Sequence, residues 1–475
     1  MLQGTSSNAG KTFLCLCLCK LAKDMGVDVA PFKAQNMTNN TSLAAEGGEV
    51  STAQWLQAVG CGLEASVDMN PIVVRPKANC AAQVFIRGVV ERDDYVYPGG
   101  PKLIKLMRES VLASFKLVAQ RHELVIIEGA GAAAESNLRV HDISNMWLAS
   151  ELNCKVVLVS DVERGGSLAS LVGTHSLLTA GDLRLVNGFV LNKFSGRISL
   201  LRPGIEVVKA KTQWPCFGVI PWVGSALGLP SEDVLCSSRN TIGTGFVGII
   251  LDLPFVVNID DYNALNLEPE LSVVYLKAPP ANVWNSVKFV IVPDTSAIKA
   301  SLDHIHFSGW NAYLKRARRN GVLILGVGAG LQLLSEAFFV KSSLPLTGLG
   351  LLKTGVLCFD DLPSWSVCTC ELLRLQIKVG TAKRLECVSV DGIAPRVSPL
   401  LVSPSGEYGI YNDSVWGVCV RGLLLDDGFR FRFLKMLGLN VRFGCYLNKI
   451  GRIVFEAACD VVPFLGKQLL SLIKG

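Results

Sequence analysis

Imidazole is scarce in this chain. Its 475 residues include five histidines, His122, His141, His175, His304 and His306, and none follows His306. The long C-terminal stretch therefore has no imidazole base of its own. There is no CxxC pair, and Cys368-Thr369-Cys370 has neither a His nor a second Cys pair beside it, which argues against zinc. No run reaches the ~18–20 uninterrupted apolar residues of a membrane-spanning helix, although mean hydropathy is high at +0.38. Charge is thin too: 46 Lys+Arg against 40 Asp+Glu give +6, and charged residues are 18% of the chain. The nearest basic cluster, 315–319, reads as one solvated helix face. These absences set aside nucleic-acid and membrane partners.

What is present is apolar and small: 50% hydrophobic residues, 45 Gly and 15 Cys. That excludes a disordered chain, a coiled coil and a collagen-like repeat. An odd cysteine count with no signal-peptide pattern reads as buried free thiols in a cytoplasmic protein. The mass of 51.1 kDa allows two or three domains.

From residue 1 to about 238, strand-like runs alternate with amphipathic segments: VDVAPFK, LVIIEGA, KVVLVSDV, LVNGFVLNKF and CFGVIP. Several end in Gly, Asp or Asn, where open α/β sheets bind ligands. After a polar stretch at 237–241, a second series begins with FVGIILDL, SVVYLK, VKFVIVPD and GVLILGVGAG. The pattern predicts two α/β domains, 1–238 and 246–455, with a tail at 456–475.

The strongest local signal is Gly4-Thr5-Ser6-Ser7-Asn8-Ala9-Gly10-Lys11-Thr12 ahead of the helical run FLCLCLCKLAKDMG. Gly-Lys-Thr opening a helix is the ending of a P-loop, whose backbone N–H groups converge on phosphate oxygens. With Thr5 in place of the first Gly, the loop resembles the longer form of dethiobiotin-synthetase-like enzymes. The expected ATP-binding set is Thr5, Ser6, Asn8, Ala9, Gly10, Lys11 and Thr12, with Lys11 also catalytic through the β/γ charge. Thr12 would hold Mg²⁺ with acidic partners, Glu128 at the end of LVIIEGAG first and Glu49 second; Asp161 and Glu46 are further acids near by. Only Met1-Leu2-Gln3 precede the loop, fewer than the ~5 residues of a usual strand, so a clipped strand or an upstream start is expected.

Longer motifs carry a resemblance. FKAQNM (32–37), Glu46-Gly47-Gly48-Glu49, Val67-Asp68-Met69-Asn70-Pro71, Glu128-Gly129-Ala130-Gly131, Glu135-Ser136-Asn137-Leu138-Arg139, Asp142-Ile143-Ser144-Asn145-Met146 and Asp161-Val162-Glu163-Arg164-Gly165-Gly166 resemble, in order, the cobyric acid synthase family. The match covers nearly all of the first domain and is patchier to about residue 440. It implies a P-loop NTPase-like synthetase domain followed by a class I glutamine amidotransferase-like domain. The implied reaction is ATP-dependent amidation of corrinoid side-chain carboxylates through acyl phosphates. It also implies corrinoid contacts at Gln35, Asn36, Asn70 and Asn137. Asp142 would handle the intermediate or ammonia, with a helix N-cap as its other reading. Arg75, Asn79 and Thr52 depart from the family's Lys, Asp and Arg, modest losses of substrate or nucleotide contacts.

The second domain departs further. Where the family has its G-I-C-G-G-Y-Q nucleophile elbow, this chain reads Gly326-Val327-Gly328-Ala329-Gly330-Leu331-Gln332, with Gly328 in the Cys position. Arg421 stands where the general base should be, and an arginine stays protonated. The family's PGSK loop reads Pro293-Asp294-Thr295-Ser296. The expectation is a lost glutaminase, a synthetase fed by ammonia or a separate glutaminase, and a second domain kept as an apolar cover. The alternatives are a non-catalytic ATP- or corrinoid-binding descendant, an a,c-diamide synthase or dethiobiotin-type carboxylase, and a ParA-like ATPase. Intact Gly10-Lys11-Thr12 and Glu128 argue against the first. FKAQNM and the 67–71 motif argue against the enzymes, and the missing basic cluster argues against the last.

Overall fold

The computed structural model describes residues 1–473 apart from 78–80, 97–98, 231–244, 283–284, 339–344, 359–365, 371, 381–382, 389 and 391–394. Asn79 and the polar stretch 237–241 therefore lie outside the described residues. In the first half the elements that build the site are β1 (Leu2–Gly4), α1 (Lys11–Asp24), β2 (Val29–Phe32), β3 (Thr41–Leu43), β4 (Glu49–Ser51), α2 (Thr52–Cys61), β5 (Leu124–Ala132), α3 (Met146–Glu151), β6 (Val156–Asp161), β7 (Val186–Phe194) and β8 (Cys216–Pro221). Each apolar run of the first series became a strand. Six of these strands form a parallel sheet in the order β8-β7-β6-β1-β5-β2. Three-residue β1 sits at its centre, with Leu2 opposite Val157 on one side and Glu128 on the other. Short as it is, the strand sets the P-loop directly above the C-terminal ends of its neighbours.

Helix α1 is buried almost all round, at Leu14, Cys15, Leu16, Cys17, Leu18, Cys19 and Ala22. With Lys20, Lys23 and Asp24 near its end turned outward, the rest of the helix must be covered on more than one side. One cover is the sheet and another is α2. A third comes from the far end of the chain, described below.

The second half contributes β9 (Phe246–Leu251), β10 (Leu271–Leu276), β11 (Val287–Val292), β12 (Leu323–Val327), α4 (Ala329–Leu334), β13 (Val415–Val418) and α5 (Tyr446–Val461). Strands β10-β9-β11-β12-β13 run parallel and continue into antiparallel strands on one side. The basic run at 315–319 lies on the helix Trp310–Arg319, which buries Trp310, Tyr313, Leu314 and Ala317 and turns most of its charge to solvent. Helix α5 leaves this domain and returns to the first. Its Ala457, Ala458 and Val461, with Leu465 and Leu469 beyond it, join the cluster of Leu14, Cys15 and Leu18. Between the domains, Leu16 and Leu56 pack with Ala264, Ile450 and Val454, and Trp55 stacks on Tyr446 at 6.5 Å. Among the described residues no helix is long and apolar enough to cross a membrane.

Candidate active site

The loop between β1 and α1 is shaped by its glycines. Gly10 has φ +88°, and a Cβ there would run into the Asn192 side-chain amide. That amide donates to the Ala9 carbonyl at 2.9 Å, and Lys193 Nζ donates to the Asn8 carbonyl at 2.7 Å. The end of β7 thus braces the loop from behind. No side chain caps the N-terminus of α1, and the positive end of a helix draws an anion. Lys11 is buried, and its Nζ donates to the carbonyls of Gly131 at 2.8 Å and Ser6 at 3.3 Å.

Beside it lies a compact buried network. Thr12 Oγ1 donates to Glu128 Oε1 at 2.7 Å, and Lys33 Nζ reaches the same oxygen at 2.8 Å. Gln57 Nε2 donates to Glu128 Oε2 at 2.5 Å and to the Thr12 carbonyl at 3.3 Å. Glu128 is 1% exposed and Lys33 3%, so neither charge could be held there without the other. Among the described residues no cluster of three or more His, Cys, Asp or Glu gathers around a metal position. Magnesium beside a nucleotide does not need one: a hydroxyl and one carboxylate, completed by phosphate and water oxygens, is its usual set. Thr12 and Glu128 fit it.

These groups open onto a cavity of about 800 Å³, whose wall includes Lys11, Thr12, Lys33, Gln35, Asn36, Glu128, Asp142 and Asn145. Asn36 Nδ2 is buried without a hydrogen-bond partner. Of the expected loop residues, Asn8, Gly10, Lys11 and Thr12 line the cavity, as does Ser7. Thr5, Ser6 and Ala9 shape the loop from outside the lining, Thr5 through Ser160 at 2.9 Å.

Three expected residues stand elsewhere. Glu49 is not beside Thr12 and Glu128; it is ion-paired with Arg75 and Arg421 at the junction of the domains. Asn70 is fully buried with its amide spent inside the fold, accepting from Ser51 N at 2.9 Å and donating to the carbonyls of Lys33 and Ile72. It fixes backbone rather than facing substrate. Asn137 is exposed and off the cavity wall. Asp142 is on the wall, but its carboxylate takes the N–H groups of Ser144, Asn145 and Trp147 at 2.8–2.9 Å, anchoring the start of α3. Asp161 pairs with Lys193 at 2.9 Å, and Glu46 accepts from Ser66 and Val67.

Lys33, Gln57 and Asn192 were given no role from the sequence. Lys33 follows an apolar strand at the ligand-binding edge of a parallel sheet, a signal that was legible. Gln54 and Gln57, one helical turn apart and both fully buried, were the other.

In the second domain Gly328 stands at the elbow position. Gly328 has φ 56° and ψ −120° between β12 and α4, the sharp strand-to-helix turn of such sites. A Cβ there would lie 2.5 Å from Asp294 Oδ1. That carboxylate accepts from Ala329 N at 2.8 Å and Thr295 N at 2.9 Å. Burial pushes the Asp294 carboxyl up, while the Ala329 N–H and Lys383 pull it back in part.

Arg421 points across to the first domain. It donates to the Thr41 carbonyl, and to Thr41 Oγ1 at 3.0 Å. It also lies 3.8 Å from Glu49 and 3.9 Å from Asp261. Arg75 donates to Glu49 and to Thr41 Oγ1, and Thr52 Oγ1 donates to Asp260 Oδ2 at 2.5 Å. Arg75 and Thr52 are thus partners in this junction. Burial would raise the Glu49 carboxyl, but Arg75 and Arg421 hold it below its usual range. Burial and then Asp261 raise Asp260 to about 7.

A family model described as "CobQ/CobB/MinD/ParA nucleotide binding domain" matches residues 1–233, and one described as "CobB/CobQ-like glutamine amidotransferase domain" matches 248–360. A cobyric acid synthase of Rhizobium etli (strain CIAT 652) is 34% identical over 498 residues, covering 100% of this chain and 99% of the relative. A cobyric acid synthase of Jannaschia sp. (strain CCS1) is 41% identical over 452 residues, 92% of each chain.

Proposed function

The chain belongs to the cobyric acid synthase family, and on that premise we propose that it amidates the b, d, e and g side-chain carboxylates of adenosylcobyrinic acid a,c-diamide in cobalamin biosynthesis, using one ATP for each. The observation that carries this reading is the meeting of Lys11, Thr12, Lys33 and Glu128 in the wall of one cavity large enough for nucleotide and part of a bulky acid.

A carboxylate resists ammonia because its oxide is a poor leaving group. One of its oxygens attacks the γ-phosphorus of ATP, the bond from that phosphorus to the bridging oxygen breaks, and ADP leaves. Ammonia then attacks the acyl carbon, phosphate departs with the C–O electron pair, and the nitrogen gives up a proton to water. Lys11 and the uncapped end of α1 would draw the charge on the transferring phosphoryl group. Mg²⁺ held by Thr12 and Glu128 would neutralise β- and γ-phosphate oxygens. Gln35 and the unpartnered Asn36 amide are the groups offered to the acid substrate. Asp142 holds the wall that carries Asn145.

Nitrogen enters as ammonia, free or released by a separate glutaminase. Gly328 offers no thiol to attack glutamine. The Ala329 N–H that would stabilise a tetrahedral oxyanion is already given to Asp294. Arg421 cannot accept a proton. The test is mass spectrometry of the product from the a,c-diamide, ATP and ammonium. Four successive replacements of OH by NH₂ are expected, with glutamine ineffective. Glutamine working as well as ammonium would refute the nitrogen assignment, and absence of any corrinoid-stimulated ATP hydrolysis would favour a non-catalytic binding protein.

A further inference from the structure

We propose that Arg421 is a positioning residue for the nucleotide site, acting on Glu128 through the β3–β4 hairpin and helix α2. The proposal rests on the amidation reading above and assigns the altered second domain a task within it.

Thr52, Arg75 and Arg421 meet at one buried junction. Arg421 and Arg75 both reach Thr41 Oγ1, which donates in turn to Glu49 Oε2 at 2.6 Å. Thr41 is in β3 and Glu49 in β4, so one guanidinium from the second domain grips both strands of the hairpin. A guanidinium suits the place because its planar fork donates in several directions and keeps its charge when buried. A neutral imidazole would leave Glu49 and Asp261 without that cation.

The hairpin runs straight into α2. Ser51 caps that helix by accepting from Gln54 N, and Thr52, its first residue, is tied to Asp260 of the second domain. One turn in, Gln54 Nε2 donates to Gln57 Oε1 at 2.5 Å, and Gln57 Nε2 holds Glu128 and the Thr12 carbonyl. The orientation of the Glu128 carboxylate, and with it the oxygen set offered to a cation on the nucleotide, therefore depends on where α2 sits. The second domain fixes that by two grips, Arg421 on the hairpin and Asp260 on the helix start.

The test uses the full chain and reads ADP binding by calorimetry with and without Mg²⁺, so it does not depend on turnover. Arg421→Gln is expected to weaken binding about fivefold or more in the presence of Mg²⁺, the scale of coupling within one hydrogen-bond network, and to leave Mg²⁺-free affinity unchanged. Gln57→Ala should do the same, and the double variant should lose little beyond either single one. Equal loss with and without Mg²⁺, or losses that add in the double variant, would overturn the proposal, because a merely structural role predicts those outcomes. If Arg421→Gln does not fold, Thr52→Val removes the second grip alone and should show the same Mg²⁺-specific loss, absent in a Gln57→Ala background; a loss that persists there refutes the route. Wild-type protein that bound no ADP at all would instead remove the amidation reading.

Discussion

The Asp294 carboxylate accepts the backbone N–H of Ala329 at 2.8 Å, filling the space beside Gly328 where a nucleophile and its oxyanion would meet. The two positions are physically linked: a side chain at 328 and the Asp294 carboxylate would compete for one space. The site is occupied by the protein itself.

Gly328→Cys is accordingly expected to destabilise the chain by about 1–3 kcal/mol through overpacking and to release no glutamate from glutamine. Adding Asp294→Gly relieves the clash but not the strain of a side chain at φ 56°, and it strips the partner of Ala329 N and Thr295 N. The double variant should therefore stay less stable than the parent and still lack glutaminase activity, because Arg421 is no base. Denaturant titration and a glutamate assay check both. Turnover of glutamine by the single variant would contradict the arrangement.

Lys11→Ala should lower corrinoid-stimulated ATP hydrolysis by about a hundredfold or more, the usual effect of removing one group that stabilises transition-state charge. Phosphate release measures it. A rate within a few-fold of wild type would mean that Lys11 does not meet the phosphoryl group.

Two asparagines should separate cleanly. Asn70→Ala strips partners from buried backbone at Ser51, Lys33 and Ile72; a loss of about 1–3 kcal/mol is expected, with the corrinoid KM little changed. Asn36→Ala removes an amide nitrogen that has no partner. It should cost little stability and raise the corrinoid KM by roughly threefold to tenfold. Thermal melts and steady-state kinetics on both variants decide between these roles.

The domain junction should weaken as pH rises from about 4 towards neutrality. Asp260 sits against Asp261, Arg421 and the Thr52 hydroxyl, and its carboxyl is raised from 3.8 to about 7. Between those values the folded state holds a proton that the unfolded chain has released, so stability falls with rising pH across that window and levels off above it. Glu49 is depressed below 4.5, so its contribution is present at higher pH and fades as pH drops through its folded value. Asp260→Asn should flatten the decline between about pH 4 and 7 by denaturant titration. An unchanged slope would show that Asp260 is already ionised.

Much of the first domain's site was legible because its chemistry is local. Loop N–H groups that bind phosphate come from consecutive residues, so Gly10-Lys11-Thr12 is readable as a string. Glu128 is marked by its place at the end of an apolar run. The strands were equally plain, since those of a buried parallel sheet are continuous apolar stretches. Glu49 misled for the same reason: an acid in a glycine-rich segment looks like a ligand until its actual partners, Arg75 and Arg421, are known.

The sequence by itself determined the family, the phosphate loop and the absence of any histidine after His306, because each is a matter of residue identity in order. Only the tertiary structure decided what the replacements do. Arg421 and Thr41 are 380 residues apart, and α5 returns from the second domain to cover α1. Such contacts form only when two separately patterned sheets dock. The energy of a buried charge depends on what that docking places beside it, which no spacing along the chain records.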